Sequence, residues 1–359
     1  MTPVAFGVFD WVDRSTGPLH QLYEERLKLL EAADAAGFFC YHVAEHHATP
    51  LGMAPSPALF LTAAAQRTRR IHLGPLGYLL PLYNPLRLIE EICMLDHLSR
   101  GRLELGVSRG VSPYELGCFG VDAAGTRAIF EEALAVLVAG MTQERLTFEG
   151  KHYRYANVPI ELQPFQRPYP PLWYPTRNPE SVLYAARHGY NFVSGGPAAT
   201  VRPHVEAYWK TWKAHQHDPG RLNGHVAEPK TGILRQVLVA DTDEEALAAT
   251  RSAHATWYRS ITKLWHDHGD HQPDALFSWE MCTQHETILF GSPARVREHL
   301  ARLFETSGCN YVACAFAWGS MSHAQALRSL RLFAEEVMPA FSATAAPVAY
   351  STPTTPGAS

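Results

Sequence analysis

Short apolar runs alternate with longer amphipathic stretches along nearly the whole chain. The runs fall at residues 4–9, 38–43, 71–80, 103–107, 172–175, 191–194, 232–240 and 311–315. They are continuous rather than alternating, which is how strands of a parallel sheet read when both faces are covered. The stretches between them predict helices at 19–36, 57–67, 85–99, 126–140, 179–188, 200–215, from 243, at 293–307 and at 325–341. Gly37 and Gly101 stand just past two of these, where a left-handed residue closes a helix. Ser56-Pro57 supplies an N-cap and a first helical residue. Ser112-Pro113-Tyr114-Glu115 has the spacing of a capping box and predicts one short helix.

Eight strands, each followed by a helix, predict an α/β fold of the (β/α)8 TIM-barrel type over residues 1–341. A doubly wound sheet is the structural rival. Insertions are expected after strand four, where 146–171 is rich in aromatics and proline and suits short hairpin strands, and after strand seven, at 257–290. The tail, 342–359, is Ala, Pro, Thr and Ser. It cannot bury enough apolar surface to offset its ordering entropy, so disorder is expected there.

Composition mostly excludes. A net charge of −4 makes no electrostatic case for nucleic acid or an anionic membrane. The six cysteines include no C-x-x-C pair, which points to reduced thiols in a cytoplasmic protein. No basic leader precedes the first strand, and no apolar stretch is long enough to span a bilayer. Neither a G-x-G-x-x-G loop nor a GK[ST] loop is present. The histidine-rich segment 266–271 reads as a solvated loop, and no metal is expected.

In a barrel, chemistry gathers at the C-terminal ends of the strands. Ala44-Glu45-His46-His47, Ser108-Arg109 and Thr176-Arg177 all fall there. Gly106-Val107-Ser108-Arg109-Gly110 also matches the nucleophile elbow G-x-S-x-G of hydrolases. However, Val111-Ser112-Pro113 delays the helix that an elbow needs straight after its serine. The segment 176–181 offers a hydroxyl, an arginine and a helix N-terminus, which suit a phosphate. From the residues alone the commoner reading of such a segment is an ordinary N-cap, with Pro179 as an early helical residue.

These segments, with Leu80-Pro81, Asn84-Pro85, the run 95–102, Ala185-Ala186-Arg187-His188-Gly189, Gly291-Ser292-Pro293 and the run 333–339, carry a resemblance. In this order the chain resembles the bacterial luciferase-like flavin-dependent monooxygenases of the luciferase α-subunit type. The resemblance implies reduced FMN (FMNH2) as cosubstrate, reacting with O2 to a C4a-peroxyflavin that oxygenates a small organic substrate. A separate NAD(P)H-dependent flavin reductase would supply the FMNH2. It also implies a homodimer formed through the helices after strands two and three. His46 matches the catalytic histidine, and Arg109 the arginine that reaches the flavin phosphate. Leu76-Gly77 matches a non-proline cis peptide beneath the flavin ring. Thr176, Arg177, Asn178 and Ser181 match the phosphate loop, although luciferase has a glutamate where Arg177 stands. Ser108, taken as a cofactor contact, stands where luciferase has a reactive cysteine. The segment 257–290 matches the mobile lid.

A dry mouth is expected from Phe9, Trp11, Tyr78, Tyr83, Trp173 and Tyr174, with Glu45 beside the histidines. His47 should point away from His46 and act through packing. Two other functions fit the same barrel: an F420-dependent hydride-transfer oxidoreductase, and a non-catalytic flavin-binding or partner subunit.

Overall fold

The computed structural model describes residues 4–341. The tail expected to be disordered lies outside the described residues. Among the described residues, twelve strands occur in order: β1 Ala5–Asp10, β2 Cys40–Val43, β3 His72–Pro75, β4 Tyr78–Leu79, β5 Leu105–Ser108, β6 Arg145–Glu149, β7 Arg154–Pro159, β8 Leu172–Pro175, β9 Asn191–Ser194, β10 Thr231–Val239, β11 Ile288–Gly291 and β12 Tyr311–Ala315. The main sheet runs β3-β2-β1-β12-β10-β9-β8-β5-β4, with every pairing parallel. β3 and β4 are the two halves of the third expected strand, interrupted at Leu76-Gly77. A parallel bridge between Leu73 and Leu103 brings the sheet round on itself. The result is an α/β barrel with flanking helices.

Local chemistry sets the helices. Pro57–Arg67, Pro85–Ser99, Pro179–His188 and Pro293–Ser307 each open on a proline, whose missing N–H costs nothing at that position. Leu19–Ala36 buries Leu22, Arg26, Leu29, Leu30 and Ala33 along one stripe and stops at Gly37, φ 84°. The last expected helix breaks earlier than 341. It is helical over His323–Leu332, then widens into a π-type turn at Phe333–Val337 before Pro339.

Both insertions have structure of their own. β6 and β7 pair antiparallel as a hairpin in the first. In the second, the helix Asp243–Asp267 runs ten residues past Trp257. Two short helices follow, Asp274–Phe277 and Trp279–Gln284, and then β11, which pairs parallel with the end of β10. The region expected as a break from 257 to 290 is therefore mostly ordered into elements. β11 escaped the sequence reading because four residues are too few to show a period. Five of the six cysteines are buried and none is paired. Among the described residues, no helix is long and apolar enough to cross a membrane.

Candidate active site

The strand tips enclose a cavity of ≈ 350 Å³. Its walls come from several elements. Phe9 lies on β1 and Trp11 just past its end, Glu45 and His46 follow β2, Leu76, Gly77 and Leu79 belong to the split third strand, and Ser108 ends β5. Arg177 follows β8, and Leu234 and Gln236 lie on β10. The second insertion covers it with Trp257, Ile261, Leu276, Phe277 and Met281. Phe9, Trp11, Trp257 and Phe277 form one chain of ring contacts, with successive centroids 4.9, 5.6 and 5.5 Å apart.

His46 is fixed by a residue outside its own strand. Its Nδ1 lies 3.1 Å from Glu115 Oε1, while the His47 backbone N–H donates to Glu115 Oε2 at 3.0 Å. Burial works against a charged His46 ring, but Glu115 beside it prevails and holds its pKa above the ordinary histidine value. Burial likewise opposes the Glu115 charge. His46 and the two hydrogen bonds overcome it and hold that carboxyl below its usual range. Both shifts favour the charged pair, an imidazolium against a carboxylate. Its geometry commits Nδ1 to Glu115 and leaves Nε2 for the cavity.

His47 has a carboxylate of its own. Its Nε2 lies 2.9 Å from Glu45 Oε1, and its ring meets Phe119 edge-on at 4.7 Å. Glu45 Oε2 accepts from the Leu79 N–H at 3.2 Å and from the Tyr83 hydroxyl at 2.9 Å. Burial keeps the Glu45 carboxyl above its usual range despite His47.

Glu115 was read from sequence only as half of a capping box. Ser112 Oγ does accept from the Glu115 N–H at 3.3 Å, so the N-terminal half of that box forms. The Glu115 carboxylate turns to the histidines instead. The short helix Pro113–Cys118 also reaches the covering segment. Tyr114 stacks on His268 with centroids 4.2 Å apart and donates to Asp270 Oδ2 at 3.0 Å.

A second cavity, ≈ 240 Å³, is lined by Arg109, Arg127, Phe130, Glu131, Tyr174, Glu180, Ser181 and Tyr184. Arg109 makes no ion pair among the described residues, and Arg127 lies 3.5 Å from Glu180. Sequence reasoning missed Arg127. The available signal was a cation in the first turn of helix Thr126–Thr142, where the helix dipole disfavours one. Ser108 and Arg109, consecutive in sequence, line different cavities.

The remaining expected residues fall as follows. The Leu76–Gly77 peptide is cis. A Cβ on Gly77 would lie 2.7 Å from both Gly106 C and Val107 N, so no side chain fits there. Tyr78 is fully buried behind this segment and Trp173 is fully buried, so neither lines the larger cavity. Tyr83 is spent on Glu45. Tyr174 lines the second cavity rather than the first. Asn178 is the N-cap, accepting from the Ser181 N–H at 3.1 Å, and Thr176 Oγ1 accepts from the Asn178 N–H at 3.0 Å. These two shape the loop, while Ser181 and Arg177 reach the cavities. Ser108 Oγ accepts from the Gly110 N–H at 3.4 Å, and no histidine is bonded to it, so the hydrolase constellation is not assembled. His266 and His271 both bond Asp274, at 2.7 and 3.1 Å, and the three bring ligand-type atoms within 4.8 Å of one another. The segment expected as a solvated loop is therefore tied down.

Residues 4–310 match the model of the family described as luciferase-like monooxygenase. The chain belongs to that family. It is 38% identical over 336 residues to "Uncharacterized protein y4wF" of Sinorhizobium fredii, covering 93% of this chain and 96% of the relative. It is 26% identical over 342 residues to the oxygenase component of the flavin-dependent trigonelline monooxygenase of Acinetobacter baylyi, covering 90% and 91%. Among solved structures it is similar to the monooxygenase RslO1 of Streptomyces bottropensis, with 26% identity, TM-score 0.82 and coverage of 94% and 100%. Fold alone is shared with two more distant structures. One is the oxygenating constituent of 3,6-diketocamphane monooxygenase of Pseudomonas putida in complex with FMN, at 24% identity and TM-score 0.78 over 94% and 99%. The other is the F420-dependent tetrahydromethanopterin reductase of Methanopyrus kandleri, at 17% and 0.70 over 95% and 100%. The luciferase-like monooxygenases thus supply relatives over nearly the full described length.

Proposed function

We propose that this protein is the oxygenase of a two-component system that uses reduced FMN and O2 to oxygenate a small organic substrate. The observation that carries the reading is His46, held by Glu115 at the rim of a largely apolar cavity that also touches the Leu76–Gly77 backbone. The cofactor fits the residues present. Arg109, unpaired, and Arg127, with Ser181 at a helix N-terminus, offer a cradle for a phosphate. The surface at Gly77 admits no side chain, which leaves backbone for a flat ring to approach. When bound, reduced FMN would bring the electrons that activate O2.

The protein's own work is then binding, drying and proton transfer. Phe9, Trp11, Trp257 and Phe277 keep water out of the reacting space. His46 Nε2 gives or takes the proton, and its charge is steadied by Glu115 through Nδ1. Glu45 holds His47 and the end of β4, so it supports the rim. Thr176 and Asn178 keep the loop before helix Pro179–His188 in shape. The flavin reductase is a separate protein in this proposal, a reading supported by the relative named as an oxygenase component. A homodimer is proposed through helices Pro57–Arg67 and Pro85–Ser99, which leave Leu59, Met94 and Leu98 exposed at 76%, 55% and 42%.

Binding of FMN and of F420, measured side by side, tests the cofactor. Oxygen consumption with an added NADH-dependent FMN reductase tests catalysis. Tighter binding of F420 would replace this reading with hydride transfer. FMN binding with no substrate-dependent oxygen uptake would leave a non-catalytic flavin carrier.

A further inference from the structure

The larger cavity has a polar group on the side away from His46. Counting round the sheet from β3 or from β4, four steps in either direction reach β10. Gln236 on β10 therefore sits across the mouth from Leu76 and Gly77, and all three line the same cavity. Gln236 is 4% exposed, and no hydrogen bond reaches its side chain among the described residues; its amide nitrogen is buried and without a partner. Its backbone is accounted for, donating to Thr287 O at 3.2 Å. Buried amides are normally paired, so an unpaired one at a cavity wall calls for a ligand.

The surroundings narrow that ligand. Leu234, two residues earlier on the same face of β10, is apolar, and so are Trp257, Ile261 and Phe277 of the covering segment. The charged lining groups, Glu45, His46, Glu115 and Arg177, follow β2, β5 and β8. On the β10 side the lining adds two titratable groups, His285 and the Cys282 thiol, which burial keeps neutral by raising its pKa, and the hydroxyl of Thr287. A charged substrate group beside Gln236 would find no fixed countercharge there. A neutral oxygen would find a carboxamide that can turn either its N–H or its oxygen towards it, because no protein partner fixes its orientation.

We propose that Gln236 is the specificity-determining residue of this site. It binds the neutral oxygen function, a carbonyl or a hydroxyl, of an otherwise hydrocarbon substrate. The assignment rests on the monooxygenase reading above, and its test needs no turnover. Three probes share one skeleton: the hydrocarbon bornane, its alcohol borneol and its ketone camphor. Their dissociation constants are read from quenching of tryptophan fluorescence, since Trp11 and Trp257 line the cavity. A wholly apolar wall would favour bornane, the probe least at home in water. The expected result is tighter binding of camphor and borneol than of bornane. In Gln236→Leu that preference should shift towards bornane by about tenfold, with FMN affinity unchanged. Gln236→Met, unbranched and of similar length, replaces the leucine variant if that one does not fold. Tighter bornane binding in the parent protein overturns the proposal. So does an unchanged preference in the variants, or failure of all three probes to bind. FMN affinity, measured separately, shows whether the cofactor reading has failed instead.

Discussion

Replacing Glu115 by Gln should uncouple His46 from its charge without changing the shape of the site. The carboxamide oxygen can still accept from the His47 N–H, which now lies 3.0 Å from Oε2. Its NH2 would then face His46 Nδ1, now 3.1 Å from Oε1. Nδ1 must become the acceptor, so the ring loses its Nδ1 proton and keeps the one on Nε2. The cavity-facing N–H then belongs to a neutral imidazole, a far weaker acid than the imidazolium, and a rate loss of about 10²–10⁴-fold is expected if His46 is the acid–base group. Stability should fall too. Removing one partner of a buried ion pair costs about 3–5 kcal/mol when the other charge is stranded. Here the imidazole can discharge, so the smaller figure for a hydrogen bond to a charged group applies, about 1.5–3 kcal/mol.

The sign with pH follows from the two shifts. Glu115 titrates below its ordinary 4.5 in the fold, so its share is present above that value and lost as pH falls through the folded value. His46 titrates above its ordinary 6.5, so its share is present below 6.5 and lost as pH rises through the folded value. The gap between parent and Glu115→Gln should be widest between these limits and shrink in alkali. Denaturant melts at pH 5.5 and 9.5, with NMR of the His46 ring, measure this. An equal gap at both pH values, or a His46 that titrates identically in parent and variant, would refute the ion-pair assignment.

Arg109→Ala should weaken FMN binding by about 2 kcal/mol, the scale of one charge-assisted hydrogen bond; unchanged quenching of flavin fluorescence would place the phosphate elsewhere. His46→Ala should keep most flavin affinity while releasing more hydrogen peroxide and less product, and parent-rate product formation in stopped-flow would remove His46 from the chemistry. Gly77→Ala drives a methyl against the Gly106–Val107 backbone and should destabilise by about 1–3 kcal/mol; a thermal melt matching the parent would show that the backbone gives way. Sedimentation at micromolar concentration should show a dimer, and a monomer there would leave Leu59, Met94 and Leu98 without the proposed cover.

Elements with clear punctuation were legible in the sequence. Helices that begin on proline and strands that are unbroken apolar runs fell where the pattern put them, because their signals are local. Glu115 was not legible as a partner of His46. The two lie 69 residues apart, and the Ser112-x-x-Glu115 spacing already had a local explanation. Tyr78, Tyr83, Trp173 and Tyr174 were grouped with the mouth because they are aromatic and near strand ends. Strand alternation and barrel curvature decide which of them face the cavity, and neither is readable from composition. β11 was hidden by its shortness, and Arg127 by a helix that looked ordinary around it.

The boundary between Ser108 and Arg109, where one cavity gives way to the other, has a consequence for how such a protein can diverge. Groups that would grip a phosphate sit on one side of that step. The side chains that would meet a substrate come from β10 and the covering segment on the far side. Mutations that remodel the far wall leave the cradle alone, so new substrates could be tried while the proposed cofactor site is retained. One relative is named for trigonelline, and a solved structure of the same fold is named for 3,6-diketocamphane. Substitutions gathered on the β10 side, with Arg109 and Ser181 kept, are the trace such a history would leave.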